Sequence, residues 1–219
     1  NLGLSFAQIG IITAVFQGTA SILQPLVGLY TDRRPLPYAL AAGMASTGAG
    51  LILLAHAATY GMVLISVALI GLGSSIFHPE ASRIARLAAG MRPGFAQSLF
   101  QVGGNAGSAI GPLAAAFVVM PRGQISIEWF AGVALAGMVL LGWVGRWYTA
   151  VGAARAMARK SRARAAGAIP AQVVRLGMVL LILLMVSKFV YTVSFSSYYT
   201  FYLIEQYGLT VDQSQLCLF

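Results

Sequence analysis

Acidic side chains are nearly missing from this sequence. Five Asp and Glu stand among 219 residues, and charged residues of both signs reach only 9%, where a soluble domain carries about 25%. So little charge excludes a water-solvated globular surface for a chain of this size. Cysteine is scarce as well. The lone Cys217 rules out an intramolecular disulfide framework or a Cys-based zinc site and is read as apolar filler. There is no His-Glu-x-x-His spacing, no Ser–His arrangement and no pair of carboxylates within an apolar run, which removes protease and other enzyme readings. No catalytic residue, metal or cofactor is expected. What fills the chain instead is hydrophobe: 58% of residues, with a mean hydropathy of +0.81.

The fourteen Lys and Arg sit in every second gap between apolar runs. The gaps Asp32–Arg34, Arg83–Arg92 and Arg146–Arg175 are basic. Those around Ser5, His56 and Glu205 carry no Lys or Arg, and at Arg122–Glu128 one Arg is balanced by a Glu. Such alternation is what the positive-inside rule predicts for a chain crossing a bilayer back and forth. The net charge of +9 therefore points to the lipid bilayer as partner. Nucleic acid is excluded, because no basic face is interleaved with exposed aromatics.

A helical crossing needs about 20 apolar residues. The runs Ile9–Tyr30, Tyr38–Ala58, Tyr60–Phe77, Gly94–Pro121, Trp129–Trp147 and Leu176–Ile204 qualify, and a seventh begins near Gln213. Most connections are short, so neighbours should pack antiparallel. The fold class expected is all-α, a polytopic bundle of transmembrane helices. The one long connection, Tyr148–Gln172, is rich in Ala and Arg. It shows no face of large apolar residues, which favours a flexible linker between two halves over a basic amphipathic helix on an anionic leaflet. Gly3-Leu4-Ser5-Phe6-Ala7-Gln8 and Gly208-Leu209-Thr210-Val211-Asp212-Gln213 form a weak repeat across it. Each copy leads into an apolar span, as in transporters built from two similar halves, although Gly-Leu-Ser/Thr is also ordinary helix-capping chemistry.

Gly28-Leu29-Tyr30-Thr31-Asp32-Arg33-Arg34 resembles the Gly-x-x-x-Asp-Arg loop of the major facilitator superfamily, between its second and third helices. Pro35, Leu36 and Pro37 replace the family's later Gly and basic pair. Gly28 would let helices approach closely, and Asp32 could cap a helix N-terminus or pair with an Arg of another helix. Gly107-Ser108-Ala109-Ile110-Gly111-Pro112 resembles the family's fifth-helix antiporter motif. There Gly107 and Gly111 would form a groove for a neighbouring backbone and Pro112 a bend. Gly71-Leu72-Gly73 fits the fourth helix, but Val67 stands where drug–proton antiporters carry an Arg.

The stretches Ser74–Arg83, Ala96–Asn105 and Ser197–Ile204 closely resemble the fosmidomycin-resistance branch of that superfamily. Over nearly the whole chain, the resemblance implies helix 2 to the start of helix 8 of a longer transporter. The start at Asn1 rather than Met, and the stop at Phe219 inside a new apolar run, are expected for such a piece. Residues 1–147 would be part of the N-terminal half, 148–172 a basic cytoplasmic linker, and 173–219 the start of the C-terminal half. The activity implied is proton-coupled export of a small phosphonate antibiotic from a bacterial inner membrane, with protons and the drug as partners and a monomer as the working unit.

The residues themselves are compatible with this reading. His78, Glu80 and Arg83 are proton-coupling candidates, since ionisable groups in a span are functional suspects by default. The other reading of Glu80 is a structural clamp with Arg83. Lys188 lies mid-span, where facing lipid would cost about 2.5 kcal/mol or more. With Tyr191 and Tyr198 it offers either a polar path for an anion or a counter-ion to a carboxylate. Gln97, Gln101 and Asn105 recur at helical spacing, as do Gln17 and Gln24, and suit either a substrate path or hydrogen bonds between helices. Two other functions stay open: uptake of an organic anion or other small solute, and a membrane sensor or scaffold that transports nothing.

Overall fold

Hydrocarbon offers no partner to backbone N–H and C=O groups, so each apolar run must close its own hydrogen bonds as a helix. A computed structural model shows this outcome. It describes residues 4–34, 36–165 and 170–208, without the side chains of residues 6, 112, 116, 151–165, 189 and 192–201. Helix α1 spans Phe6–Arg33, α2 Ala39–Ala55, α3 Tyr60–Ala88 and α4 Pro93–Ala114. A π-helical turn at Ala115–Val119 joins α4 to the single turn α5, Met120–Arg122. After a 3₁₀ turn at Gln124–Ile127 come α6, Glu128–Ala165, and α7, Ala171–Tyr207. No strand occurs among the described residues.

Four helices among the described residues are long and apolar enough to cross a membrane: α1, α3, α6 and α7. The shorter α2 is apolar too. Helix α4, expected as the fourth span, has the length but not the apolarity, because its glutamines, serines and asparagine dilute the run. The predicted ends also move outwards. The span Tyr60–Phe77 continues as helix through His78-Pro79-Glu80 to Ala88, and Ile9–Tyr30 continues through Asp32 to Arg33. A helix does not stop where its apolar residues stop, since its charged turns still make backbone hydrogen bonds. The same reason corrects the expected flexible linker: Tyr148–Ala165 belongs to α6.

Sequence sets where helices begin. Ser5 accepts from the Gln8 N–H while the Gln8 side chain accepts from the Ser5 N–H, a capping box that satisfies two otherwise unpaired donors. This gives the first copy of the weak repeat a local structural cause. The second copy, beyond Gly208, lies outside the described residues. Thr59 caps α3 by accepting from the Met62 N–H.

The chain divides into two compact units, Asn1–Ala158 and Arg159–Phe219. In the first, α3 packs against α1, α2 and α4. Gly71 and Gly73 lie two residues apart, about 200° around the helix, so each meets a different neighbour. A Cβ on Gly71 would stand 2.9 Å from the Phe16 carbonyl oxygen of α1, and one on Gly73 would collide with Thr47 Oγ1 and the Gly43 carbonyl of α2. Gly50 repeats this lower on α2, where a Cβ would lie 2.8 Å from the Ser66 carbonyl oxygen. Backbone-to-backbone packing of this kind holds helices together where hydrophobic burial contributes little. Ser46 adds a bond, donating to the Leu69 carbonyl of α3 at 2.8 Å. Helix α6 lies along α2, with Gly137 against Met44 and Gly145 against Pro37 and Tyr38. At one end Ala57, Val63 and Val67 form a small core covered by Ile12, Val15 and Phe16 of α1.

Gly73→Ala should therefore destabilise the unit by about 1–3 kcal/mol, the usual cost of overpacking, read as a lower thermal midpoint in detergent. Gly61→Ala, whose Cβ would meet nothing within 4 Å, should leave the midpoint at or above wild type. Equal midpoints for the two variants would contradict the packing described.

Candidate functional site: a guanidinium clasp between two helices

At the basic end of the first unit, the last turn of α1 lies beside the penultimate turns of α3. Arg83 Nη1 donates to the Thr31 carbonyl oxygen at 2.8 Å, and Nη2 donates to Thr31 Oγ1 at 3.2 Å and to Asp32 Oδ1. The final carbonyls of a helix have no partner inside it, so Arg83 acts as a cap on α1 supplied by another helix. Asp32 sits in that same last turn, where the helix dipole disfavours an anion. The Arg83 cation offsets this, as does Arg33, an exposed residue of the same turn. Asp32 is thus paired with an Arg of another helix rather than capping an N-terminus.

The other side of the guanidinium faces inwards. Glu80, one turn back along α3, places Oε1 3.1 Å and Oε2 3.5 Å from Arg83 Nη1. Oε1 is close in charge terms yet accepts no hydrogen bond. The burial is strongly graded: the Glu80 side chain is 1% exposed, Arg83 16% and Asp32 73%. Arg83 thereby connects a fully buried carboxylate to one in solvent. Thr31 is buried beside it, its hydroxyl donating to the Val27 carbonyl at 2.9 Å. Pro79 lies inside α3 and removes the N–H that would have bonded to the Ser75 carbonyl.

Of the three proton-coupling candidates, the structure brings together Glu80 and Arg83. His78 is exposed, edge-on to Phe77 with ring centroids 6.1 Å apart, and two helical positions turn it away from Glu80. Gly28 does not mediate a close approach: a Cβ there would meet nothing within 4 Å. At this end the long Arg83 side chain bridges α1 and α3, whereas near Gly71 their backbones touch.

Gln97 accepts from Ser82 Oγ at 3.0 Å, tying α4 to α3. Gln101 instead donates to Asn105 Oδ1 at 3.4 Å within α4, and both are exposed. Gly107 and Gly111 are exposed with open space where a Cβ would stand, and the side chain of Pro112 lies outside the described residues. Gln17 is exposed and Gln24 half-buried on α1. Lys188 and Tyr191 are exposed on α7 in the second unit, and the Tyr198 side chain lies outside the described residues. Two features escaped sequence reading. One is Thr31, which acts partly through a backbone carbonyl that no residue type announces. The other is at the opposite end, where His56 Nε2 meets Glu128 Oε1 at 2.9 Å. A His and a Glu in gaps facing the same side were the available signal for it.

The charges so paired join α1 to α3 within a bundle of apolar helices, and the sequence comparison gives the family of this bundle. The family described as Major Facilitator Superfamily matches residues 1–219, and the chain belongs to that family. It is 48% identical over 216 residues to the Fosmidomycin resistance protein of Escherichia coli strain K12, covering 99% of this chain and 53% of that protein. It is 38% identical over 220 residues to the Uncharacterized MFS-type transporter YfnC of Bacillus subtilis strain 168, covering 100% of this chain and 54% of that protein. The chain spans about half the length of the curated relatives it matches. No solved structure matches it.

The graded burial sets a graded response to mutation. Arg83→Met leaves Glu80 as an unpaired buried charge and should destabilise by about 3–5 kcal/mol, with much of the loss restored when Glu80→Gln is added. Asp32→Asn, at a solvent-exposed pair, should cost under about 1 kcal/mol. Denaturant unfolding of the detergent-solubilised variants checks the order; an Asp32→Asn loss matching that of Arg83→Met would overturn it.

Proposed function

We propose that this chain carries most of the N-terminal half of a proton-driven exporter of small phosphonate-type drugs in a bacterial inner membrane. The carrying observation is 48% identity across 99% of the chain to a protein named for fosmidomycin resistance. The basic ends of α1, α3 and α6 would face the cytoplasm, and the stretch from Tyr148 to Gln172 would join the two halves. Transport would proceed by alternating access, one half rocking against the other around a central site, in a monomer whose path lies within one chain.

In this reading α4 lines the path. Its exposed Gln101 and Asn105 supply hydrogen-bonding groups in a helix too polar to suit lipid, and the half-buried Gln24 and exposed Gln17 of α1 continue the lining. Lys188, with Tyr191 and Tyr198, would hold the phosphonate, since a cation at that depth is costly unless it meets an anion or water. Glu80 would carry the proton. As a neutral acid it no longer attracts Arg83 by charge, and α1 and α3 are then joined only through Thr31 and Asp32. Gly107, Gly111 and Pro112 would form the surface along which the two halves move.

Expression of the intact protein in a drug-sensitive host should raise fosmidomycin tolerance, and a protonophore should abolish the gain. Lys188→Met, which keeps the stem and deletes the ammonium, should lower substrate affinity in a correctly inserted protein. Unchanged tolerance, together with vesicles that show no proton-dependent flux of the drug, would refute the substrate assignment.

A further inference from the structure

Away from the Arg83 clasp, α2 and α6 enclose a groove of about 620 Å³, within the usual range of small-molecule sites of about 300–1,000 Å³. Its floor is made of residues with little or no side chain, Gly48, Ala131 and Ala134, the last two buried. Ile52 and Leu135 form exposed lips, and every lining residue except Glu128 is apolar or glycine. From Met44 to Ile52 the groove runs about 12 Å along α2, and from Glu128 to Met138 about 15 Å along α6, at 1.5 Å per residue. That is the depth of one leaflet of a hydrocarbon core about 30 Å thick.

The polar groups collect at one end only. His56 Nε2 meets Glu128 Oε1 at 2.9 Å. The Arg122 guanidinium lies 5.1 Å over the Trp129 ring, beside Glu128 in sequence, and tryptophan favours the membrane–water interface. Glu128 thus stands in the lining at one end of the apolar groove with His56 on it, and the next residue of α6, Trp129, carries the guanidinium, which also donates to the Phe117 carbonyl at 3.2 Å. Water gains too few hydrogen bonds in such a groove to fill it, and leaving it empty forfeits the dispersion contacts of its lining.

We infer that this groove holds one acyl chain of a zwitterionic aminophospholipid from the leaflet on the His56 side. The lipid phosphate lies against Arg122 and its ammonium against Glu128. A headgroup carrying both signs matches the cation of Arg122 and the carboxylate of Glu128, whereas a purely anionic headgroup would meet Glu128 with like charge.

The test uses the intact protein in vesicles of phosphatidylethanolamine and phosphatidylglycerol, with a trace of either lipid bearing a photoactivatable acyl chain, and mass-spectrometric mapping of the labelled peptides. With the phosphatidylethanolamine probe, labelling of Met44–Ile52 and Ala131–Met138 should exceed that of the exposed α1 face around Ile22 and Leu26 by about fivefold, and excess unlabelled phosphatidylethanolamine should compete it away. Gly132→Leu puts a branched side chain into the groove at a lining position where a Cβ meets nothing within 4 Å, and should abolish the enrichment. Glu128→Gln should remove the preference over phosphatidylglycerol, on the scale of one solvent-accessible ion pair. Uniform labelling of all lipid-facing helices, a groove protected from both probes, or equal labelling by the two headgroups would each overturn the assignment. Competition by unlabelled lipid in the unmodified protein decides the matter independently of how Gly132→Leu folds.

Discussion

A carboxylate buried in a low-dielectric interior tolerates its charge only beside a cation, and that constraint organises the basic end of this protein. Glu80 is buried on α3, so the Arg83 guanidinium must stay against it or leave a buried charge unpaired at a cost of several kcal/mol. With Arg83 so placed, its donors reach groups that α1 brings: the Thr31 carbonyl, the Thr31 hydroxyl and the Asp32 carboxylate. The capping of the end of α1 and the place of Asp32 both follow from one planar cation with several fixed donors.

The opposite end is tied by different chemistry. There Gln124 donates to the Leu54 and Ala57 carbonyls at 2.8 and 3.0 Å, closing the C-terminus of α2, and His56 joins α2 to Glu128 of α6. Between the two ends the helices are held by glycine contacts rather than by large side chains, as expected where lipid is as apolar as leucine. Helix α3 is the common element: Gly71 admits α1, Gly73 admits α2, and Ser82 reaches α4. A change at Glu80 therefore acts on the helix that three others touch.

Much of this was legible in the sequence, and for physical reasons. Long apolar runs and alternating basic gaps gave a polytopic helical bundle, because a bilayer permits little else. The motifs around Asp32, Gly71 and Gly111 gave the family. Helix ends were not legible, since Glu80–Ala88 and Thr31–Arg33 are helical without being apolar. The glycine contacts were only half legible: Gly-x-Gly marked α3, but nothing in residue type told Gly73, which touches α2, from Gly28, which touches nothing described. The length of α6 was misjudged because Ala and Arg serve a helix as well as a linker. Glu80 and Arg83 were visible as a pair, whereas the carbonyl that Arg83 holds belongs to a backbone that sequence patterns do not show.

A buried carboxylate and a clasp spanning two helices tie the separation of the basic ends of α1 and α3 to the Glu80–Arg83 pair. The most direct measurement is a spin-label distance between the exposed positions Leu29, near the end of α1, and Ala88, at the end of α3, in the intact protein with Cys217 replaced. A narrow distribution is expected in the parent protein, a broader or longer one in Arg83→Met and in Glu80→Gln, and little change in Asp32→Asn. A distribution in Arg83→Met as narrow and as short as in the parent would contradict that dependence.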